Sequence, residues 1–331
     1  MSTAARSATP VAGPSRRRLN RQGLLRWAST YSVYLALAAL FIFNLVATRG
    51  FASAFTFQNL LFSAAPIIMI ALGQTLVVGT GGIDLSVGSV MAFSSAVIVL
   101  YLGYGEAAAV VITILAAALI GLINGSLIAF ARINPLITGL GFLVAVRGLA
   151  QALSGGSRSR LPSGTFFTWI GNASLFGIPV VALFALAVAG LVALLVRNST
   201  LGRYALFTGS NRSAAFLSGT PRNTTLLAIY TLSAAFAGIA GLMVSARIGA
   251  SDPSFIGINF ELTAIAAVVI GGTPLVGGRM SILGTVAAAL FLQLIDTTFV
   301  MQGINFAYAQ VLKAVLIVLA LYLQQSQKET R

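Results

Sequence analysis

The chain has 331 residues, of which 58% are hydrophobic and 8% are charged, and it contains neither cysteine nor histidine. So few charges cannot cover the exterior of so apolar a chain, which excludes an ordinary soluble domain and indicates an all-α polytopic membrane protein. The missing residue types exclude disulfides, zinc sites built on His or Cys, and Cys or His nucleophile–base pairs. The net charge of +14 does not indicate a nucleic-acid partner, because the arginines cluster at the ends of apolar runs.

Residues 1–23 are polar, basic and rich in Ser, Pro and Ala, which predicts a disordered cytoplasmic tail. Within this tail, SRRRL (15–19) is similar to a twin-arginine export signal. The apolar run Tyr31–Ala47 that follows is long, lacks a small-residue cleavage site and leads into further apolar runs. We therefore interpret it as a retained first membrane helix.

Nine further apolar runs lie at residues 58–78, 85–102, 107–130, 136–153, 177–196, 225–246, 260–270, 281–300 and 308–324. With the first helix they predict about ten transmembrane helices, within a membrane domain that covers residues 24–325. The run 260–270 is too short to cross about 30 Å of hydrocarbon at about 1.5 Å per residue. We predict that it begins earlier or is a broken helix whose ends are shielded by protein.

The basic residues predict the orientation of the chain. If the N-terminus is cytoplasmic, the external segments carry only Arg49, Arg158, Arg160 and Arg247, and most of the other basic residues fall in cytoplasmic segments. This distribution obeys the positive-inside rule. An even number of spans then returns the C-terminal tail, residues 326–331, to the cytoplasm, so we predict that both termini are cytoplasmic.

The segment Gly79–Met91, GTGGIDLSVGSVM, places a carboxylate among glycines between two apolar runs. An ionisable group at such a place usually marks a pathway or a conformational joint. Asp84, with its neighbour Ser86, is therefore a candidate for gating, for capping the next helix, or for ion coupling. Glu261 has the same alternatives at the start of another run, and Asp296 falls late in a span, near the outer interface.

Five polar residues inside apolar spans are candidates for lining a hydrophilic pathway: Gln74, Asn124, Thr138, Arg147 and Gln293. The alternative for each is a hydrogen bond between helices. An arginine inside a span must snorkel, pair or face water, which makes Arg147 the most informative of the five.

An internal echo links two glycine-rich segments, GGIDLSVG (81–88) and GGTPLVGG (271–278). Many transporters contain repeated halves with interrupted helices at corresponding positions. The predicted spans place both segments on the cytoplasmic side, which does not suit an inverted repeat. Either the echo is accidental or one span is miscounted.

No phosphate-binding P-loop is present, because neither Lys313 nor Lys328 follows a glycine. If ATP drives this protein, another polypeptide must bind the nucleotide. The polar loop 197–223 carries four arginines and no acid, and contains the small-residue segment SAAFL (213–217). We predict that this loop docks into a partner's groove, with binding of anionic lipid as the alternative.

The residues 59–325 resemble the ribose-type permeases of bacterial ABC importers. The resemblance rests on GGIDLSVGSVMA (81–92), on NPLIT (134–138) continuing to VRG (146–148), on the loop 202–219, and on the stretch from Glu261 to Gly278. It implies a permease in the inner membrane that pairs with a second permease chain. It also implies two cytoplasmic ATPases that bind ATP and Mg²⁺, a periplasmic sugar-binding protein, and alternating access. This chain itself is then expected to hold no cofactor and no metal, and to be no enzyme.

The resemblance also implies that the loop 202–219 contacts the ATPase. The loop residues expected to couple the two proteins are Gly202, Arg203, Gly209, Asn211, Arg212, Ala214, Ala215, Ser218 and Gly219.

The chain departs from the family pattern at Thr263, commonly Asp, at Pro274 and at Arg279-Met280. The Gly-Gly-Arg run and QVLKA (310–314) look closer to permeases assigned to galactofuranose, so the expected solute is a monosaccharide such as ribose, galactose or galactofuranose. An ion-gradient-driven secondary transporter is the alternative, although the carboxylates near span ends count against it. A membrane enzyme is disfavoured by the scarcity of acid–base residues.

Overall fold

The computed structural model describes the backbone of residues 21–329 and, within it, the side chains of residues 31–322 except Arg212. The chain divides into two compact units between Ser32 and Val33, inside the first helix, and everything below concerns the unit from Val33 onward. Residues 1–20 of the predicted tail and the last two residues lie outside the described residues. The first helix begins at Arg21 and the last ends at Glu329, so both extend into the predicted tails.

The described residues form thirteen α-helices, one 3₁₀ turn at Leu102–Tyr104 and four two-residue strands. The helices are α1 (Arg21–Ala47), α2 (Ala54–Gly79), α3 (Val87–Tyr101), α4 (Glu106–Ala129), α5 (Pro135–Ser154), α6 (Phe166–Ile170), α7 (Val180–Asn198), α8 (Thr200–Ser210), α9 (Arg212–Leu217), α10 (Arg222–Ile248), α11 (Phe260–Ile270), α12 (Ile282–Met301) and α13 (Phe306–Glu329). The strands are β1 (Ser159–Arg160), β2 (Ser174–Leu175), β3 (Ile178–Pro179) and β4 (Ala250–Ser251), which pair antiparallel as β1 with β4 and β2 with β3.

A helical, polytopic membrane protein is confirmed. Seven helices in the described part of the chain are long and apolar enough to cross a membrane: α2, α3 with its 3₁₀ turn, α4, α5, α7, α10 and α12. The other three predicted runs are also apolar helices. Counting only residues whose side chains are described, they are shorter and cover Tyr31–Ala47, Phe260–Ile270 and Phe306–Tyr322. Every predicted run is thus helical, and the number of spans beyond seven stays a prediction.

The centre of the bundle is α2, whose residues from Ala64 to Gly79 are all buried. It packs against α7, α10, α11 and α12, and a helix that is apolar on every side suits such a central position. The helices α4, α5 and α7 instead expose rows of large apolar side chains, such as Leu115, Val144 and Leu191. Exposed leucine and valine on that scale are expected where lipid or another membrane protein covers a helix.

Two glycines bring short helices together inside the bundle. The backbone of Gly88, in the first turn of α3, lies directly against the backbone of Gly257, in the turns before α11. A Cβ atom on either glycine would overlap the carbonyl of the other. The predicted short run is therefore a short helix, α11, whose preceding non-helical stretch is shielded by protein.

The two ends of the bundle are named here by what they carry. The loop end carries α8 and α9, together with the C-terminal end of α2. The far end carries α6 and the four strands, together with the C-terminal ends of α10 and α12.

Candidate functional site

Asp84 lies in the non-helical stretch 80–86 between α2 and α3, and only 1% of the surface of Asp84 is exposed. Its Oδ1 accepts hydrogen bonds from the backbone N–H of Ser86 at 2.9 Å and from the Ser86 hydroxyl at 2.6 Å. Burial raises the pKa of the Asp84 carboxyl above its usual range, and the bonds from Ser86 oppose that shift. The helix begins at Val87, so Ser86, not Asp84, occupies the N-cap position.

Three further polar side chains contact Asp84, one at its backbone and two at its carboxylate. With its amide oriented so that both atoms find partners, Gln74 donates to the backbone oxygen of Asp84 at 3.1 Å and accepts from its N–H at 3.2 Å. Asn124 of α4 and Ser233 of α10 donate to the two carboxylate oxygens over longer distances of 3.5 Å. The stretch 80–86 is thus tied to α2, α4 and α10 through one residue, which defines the Asp84 cluster.

The Asp84 cluster satisfies a buried stretch of non-helical backbone. A backbone stretch without helical hydrogen bonds needs other partners when it is buried, and here Gln74 supplies them at Asp84. Removing one partner leaves a buried polar group unsatisfied, at a cost of about 1–3 kcal/mol. Any movement of the stretch therefore requires several hydrogen bonds to break together.

Arg147 of α5 forms a second site with the turns that precede α11. Its Nη1 donates to the carbonyl oxygens of Ile256 at 2.6 Å and Pro253 at 3.0 Å. Glu261, in the first turn of α11, places its carboxylate against Gly88. Arg147 thus stabilises non-helical backbone inside the bundle. A guanidinium suits this role because it carries several N–H donors in a fixed plane.

The remaining two predicted pathway residues lie apart from these clusters. The Thr138 hydroxyl donates to the Pro135 carbonyl of its own helix at 3.1 Å. Gln293 lies on α12 and lines a separate cavity at the far end, beside Asp296. The predicted set of eight is therefore not one site: Gln74, Asp84, Ser86 and Asn124 form the Asp84 cluster, and Arg147 and Glu261 lie around Gly88.

The predicted docking loop folds into two short helices. Ser199 caps α8 by accepting a hydrogen bond from the Gly202 N–H at 3.0 Å, and Asn211 caps α9 by accepting from the Ala214 N–H at 3.0 Å. Both caps follow the preference of Ser and Asn for this position. The small-residue segment 213–217 is therefore helical and forms most of α9.

The exposed residues of α9 differ from those expected. Phe216 and Leu217 are 78% and 84% exposed, whereas Ala215 is fully buried. Ala215 thus faces the chain itself and is not available to a partner in this conformation. Gly202 is also buried, against the end of α7, while Arg203 is exposed.

The remaining loop residues that were predicted to couple this chain to an ATPase lie at helix ends. Ser218 donates to the Ala215 carbonyl at 3.0 Å, and Gly219 has a left-handed φ of 72° with open space around it. The Arg212 side chain lies outside the described residues.

Three backbone segments meet at glycines where α8 ends, and we call Gly79, Gly209, Gly277 and Gly278 the glycine junction. The Gly278 N–H donates to the Gly79 carbonyl at 2.9 Å. A Cβ on Gly209 would overlap that carbonyl and lie 2.6 Å from the Gly278 nitrogen. A Cβ on Gly277, whose φ is 86°, would lie 2.9 Å from the Gly209 Cα.

The glycine junction joins the docking loop to the stretch that holds Asp84, because Gly79 immediately precedes residues 80–86. It also brings the two echoed segments together at the loop end, so their placement on one side of the bundle is correct. This shared location does not suit an inverted repeat between them.

Sequence reasoning did not find Ser233 or the partner of Asp296. Ser233 is one small residue within a long apolar helix, and nothing nearby in sequence distinguishes it. Asp296 pairs with Lys313 of α13, whose Nζ lies 2.9 Å from both carboxylate oxygens. The position of Asp296 near the outer interface stays a prediction. A signal for its partner did exist, because a lysine inside an apolar run needs a partner.

Comparison with known proteins identifies the class of molecule. The family described as the permease component of the branched-chain amino acid transport system matches residues 56–321. The galactofuranose transporter permease protein of Escherichia coli K12 is 38% identical over 82% of this chain and 79% of its own length. The fructose import permease protein of Bifidobacterium longum is 34% identical over 80% of this chain and 76% of its own. The ribose import permease protein of E. coli K12 is 31% identical over 91% and 95%.

No solved structure matches this chain significantly. The apolar helices and the comparisons together define an integral multi-pass membrane protein of the permease class, whose relatives are transport proteins and not enzymes. The chain belongs to the permease-component family named above. Within that family its resemblance to the ribose-type permeases of sugar ABC importers is confirmed.

Proposed function

We propose that this chain is the membrane-spanning subunit of an ATP-driven importer that moves a monosaccharide across the bacterial inner membrane by alternating access. Two permease chains, identical or related, form the pathway. Separate cytoplasmic ATPases bind ATP and Mg²⁺ and drive the cycle, and a periplasmic binding protein delivers the sugar. The loop end is cytoplasmic and the far end is periplasmic.

The observation that carries the proposal is the contact of Gly209, in the docking loop, with Gly79, the residue directly before the stretch 80–86. The relatives and the resemblance supply the partners, and the absence of a P-loop fits a chain whose energy comes from another subunit. The arginines of the loop 197–223 support a cytoplasmic position, because arginine and lysine are concentrated in cytoplasmic loops. Phe216 and Leu217 offer an exposed apolar contact for the ATPase.

Movement passes from the ATPase to the pathway through the glycine junction in this proposal. A shift of α8 pushes Gly209 against the Gly79 carbonyl and the Gly278 nitrogen, since no side chain lies between these backbones to absorb the displacement. Gly79 immediately precedes the stretch 80–86, so this stretch moves relative to α4 and α10 unless the Asp84 hydrogen bonds hold it. The Asp84 cluster then acts as a latch with two discrete arrangements, which is what a gate requires.

The solute is proposed as a neutral monosaccharide. The three relatives described above are named for galactofuranose, fructose and ribose, which are all small polyols. The galactofuranose permease shares 38% identity, in agreement with the QVLKA run (310–314) at the start of α13. Galactofuranose is accordingly the first sugar to test, followed by D-galactose, D-ribose and D-fructose.

The test is purification of the tagged chain from native membranes in mild detergent, followed by reconstitution of the purified complex in liposomes. We expect an ATPase with a P-loop to co-purify, and uptake of at least one of the four sugars to require ATP and the binding protein. Uptake that proceeds without ATP and follows a proton or sodium gradient would overturn the proposal. In that case Asp84 would become the leading ion-coupling residue.

A further inference from the structure

An open cavity of about 990 Å³ lies at the far end, between α2, α10, α11, α12 and α13. Its volume falls at the upper end of the range of about 300–1,000 Å³ typical of small-molecule sites. The lining is mostly apolar with a few polar groups, which also fits such sites. The cavity is separate from the Asp84 cluster and from the glycine junction, and shares no lining residue with them.

The polar groups of the cavity include an ion pair inside apolar helices. Asp296 of α12 and Lys313 of α13 have side chains that are only 15% and 7% exposed, with the lysine Nζ 2.9 Å from each carboxylate oxygen. Burying such a pair costs desolvation free energy that its attraction does not reliably recover. Ionisable residues within membrane helices are therefore by default functional candidates.

Uncharged polar groups stand beside this pair at helical spacing. Gln293 and Thr297 flank Asp296 on α12, and Gln310 lies three residues before Lys313 on α13; all three line the cavity. Residues three and four apart share one face of a helix. Two facing helices thus present amide, hydroxyl, carboxylate and ammonium groups to one space, which together offer several donors and several acceptors.

Aromatic side chains complete the lining. Phe306 lies beside the pair, with its ring centroid 5.5 Å from the Lys313 Nζ, and Phe62 lines the opposite wall on α2. A sugar has polar hydroxyl groups around its rim and apolar C–H faces. A cavity with aromatic walls and a row of donors and acceptors is complementary to both features.

We propose that this cavity is the place where the permease chain itself binds the imported sugar, with the Asp296–Lys313 pair and the adjacent Gln293, Thr297 and Gln310 contacting its hydroxyl groups. The inference rests on the proposed function, since it names the site for the same solute.

The ion pair disfavours a sugar acid at its own position. The pair is electrically neutral, so an anionic solute would have to compete with Asp296 for Lys313. The third ionisable residue of the lining, Arg247, donates to the side-chain oxygens of Asn172 at 2.7 Å and Asn59 at 2.8 Å, and its guanidinium lies 3.9 Å from the centroid of the Phe62 ring. These partners hold the guanidinium in place and are neutral, so Arg247 keeps its positive charge.

The absence of cysteine in the chain allows a direct test. We would introduce Thr297→Cys in the cavity and, as the matched control, Ser157→Cys on an exposed loop at the same end. The complete complex reconstituted in liposomes would react with a water-soluble methanethiosulfonate reagent, without nucleotide and with a non-hydrolysable ATP analogue. Galactofuranose, D-galactose, D-ribose, D-fructose and D-gluconate would be added separately, and the import of each sugar measured on the same preparation.

We expect the imported sugar to slow modification of Thr297→Cys at least about fivefold in one nucleotide state, and D-gluconate to leave the rate unchanged. Ser157→Cys should react at the same rate throughout. Sugar import without any protection would overturn the inference while leaving the proposed function intact. A Thr297→Cys side chain that never reacts would also overturn it, since lipid or the second permease would then fill the cavity.

Equal protection by D-gluconate would refute the charge argument. A preparation that imports none of the sugars would contradict the proposed function, and the inference with it.

A pair of substitutions keeps the test independent of cysteine chemistry. Gln293→Leu removes one donor and acceptor from the cavity, and Gln151→Leu makes the same change on the exposed face of α5, outside it. We expect Gln293→Leu to raise the KM for sugar uptake by up to about tenfold, with unchanged ATPase co-purification and thermal stability. Gln151→Leu should leave KM unchanged, and equal effects of the two substitutions would contradict the assignment.

Discussion

Replacing Gly209 by alanine should uncouple ATP hydrolysis from sugar uptake. The added methyl carbon would overlap the carbonyl oxygen of Gly79 and lie 2.6 Å from the nitrogen of Gly278. Both of these are backbone atoms. Atoms in van der Waals contact stand about 3.5–4.0 Å apart, so α8 has to retreat by roughly 1 Å. No side-chain rotation relieves the overlap, because the neighbouring atoms belong to two other backbone segments.

The size of the effect follows from the cost of overpacking, which is typically about 1–3 kcal/mol. If this cost falls on the conformation in which the glycine junction is closed, the population of that conformation decreases by about tenfold for each 1.4 kcal/mol. We therefore expect the sugar imported per ATP hydrolysed to fall by about fivefold to about 100-fold. Hydrolysis itself should continue, because the change lies away from the exposed face of α9.

The matched control is Gly190→Ala on α7, the helix that precedes α8. A Cβ at Gly190 meets no atom within 4 Å, and alanine is the better helix former by about 1 kcal/mol. Both variants would be purified with the ATPase, checked for thermal stability and assayed in liposomes for ATP hydrolysis and uptake. A Gly209→Ala complex that is stable and keeps the wild-type ratio of uptake to hydrolysis would refute the role of the glycine junction.

Three further outcomes are expected. Asp84→Leu removes the oxygen that accepts hydrogen bonds from Ser86, so it should lower the free energy of unfolding by about 1–3 kcal/mol and abolish uptake. Asp84→Asn keeps an acceptor oxygen and should retain more of both stability and uptake. Equal losses for the two variants would contradict the role of the Asp84 cluster as a latch. Phe216→Ser with Leu217→Ser should reduce co-purification of the ATPase without changing thermal stability, since both side chains are exposed; undiminished co-purification would place the contact elsewhere. Arg147→Gln leaves two buried carbonyl groups with a weaker donor and should lower the melting temperature more than Arg147→Lys. An equal or smaller decrease for Arg147→Gln would contradict this role of the arginine.

The apolar helices were predictable because a backbone inside hydrocarbon must satisfy its own hydrogen bonds, and a helix does so within one segment. Every predicted run is a helix, and even the short run at 260–270 coincides with α11. Helix starts were predictable where a short polar residue precedes the run, as with Asn134 before Pro135 and Asn211 before α9. Near Asp84 the same rule predicted the N-cap of α3 two residues too early. Ser86 is also a short polar residue, and it is Ser86 that occupies the N-cap position.

The grouping of the polar residues was not predictable, because it depends on how the helices pack. Gln74 and Asn124 contact Asp84, whereas Gln293 has a similar polarity and a similar setting yet lies in another cavity. Ala215 resembles Ala214 in sequence, but only packing places Ala215 entirely inside.

The sequence by itself determined that the outer surface of this protein faces lipid and that its spans are helical. These properties depend on composition, which no packing arrangement can alter. Only the tertiary structure decided that the glycines at 79, 209, 277 and 278 meet, and that Asp296 has Lys313 as its partner. Such contacts depend on the relative rotation and height of packed helices, which many apolar side chains set together and no local pattern records.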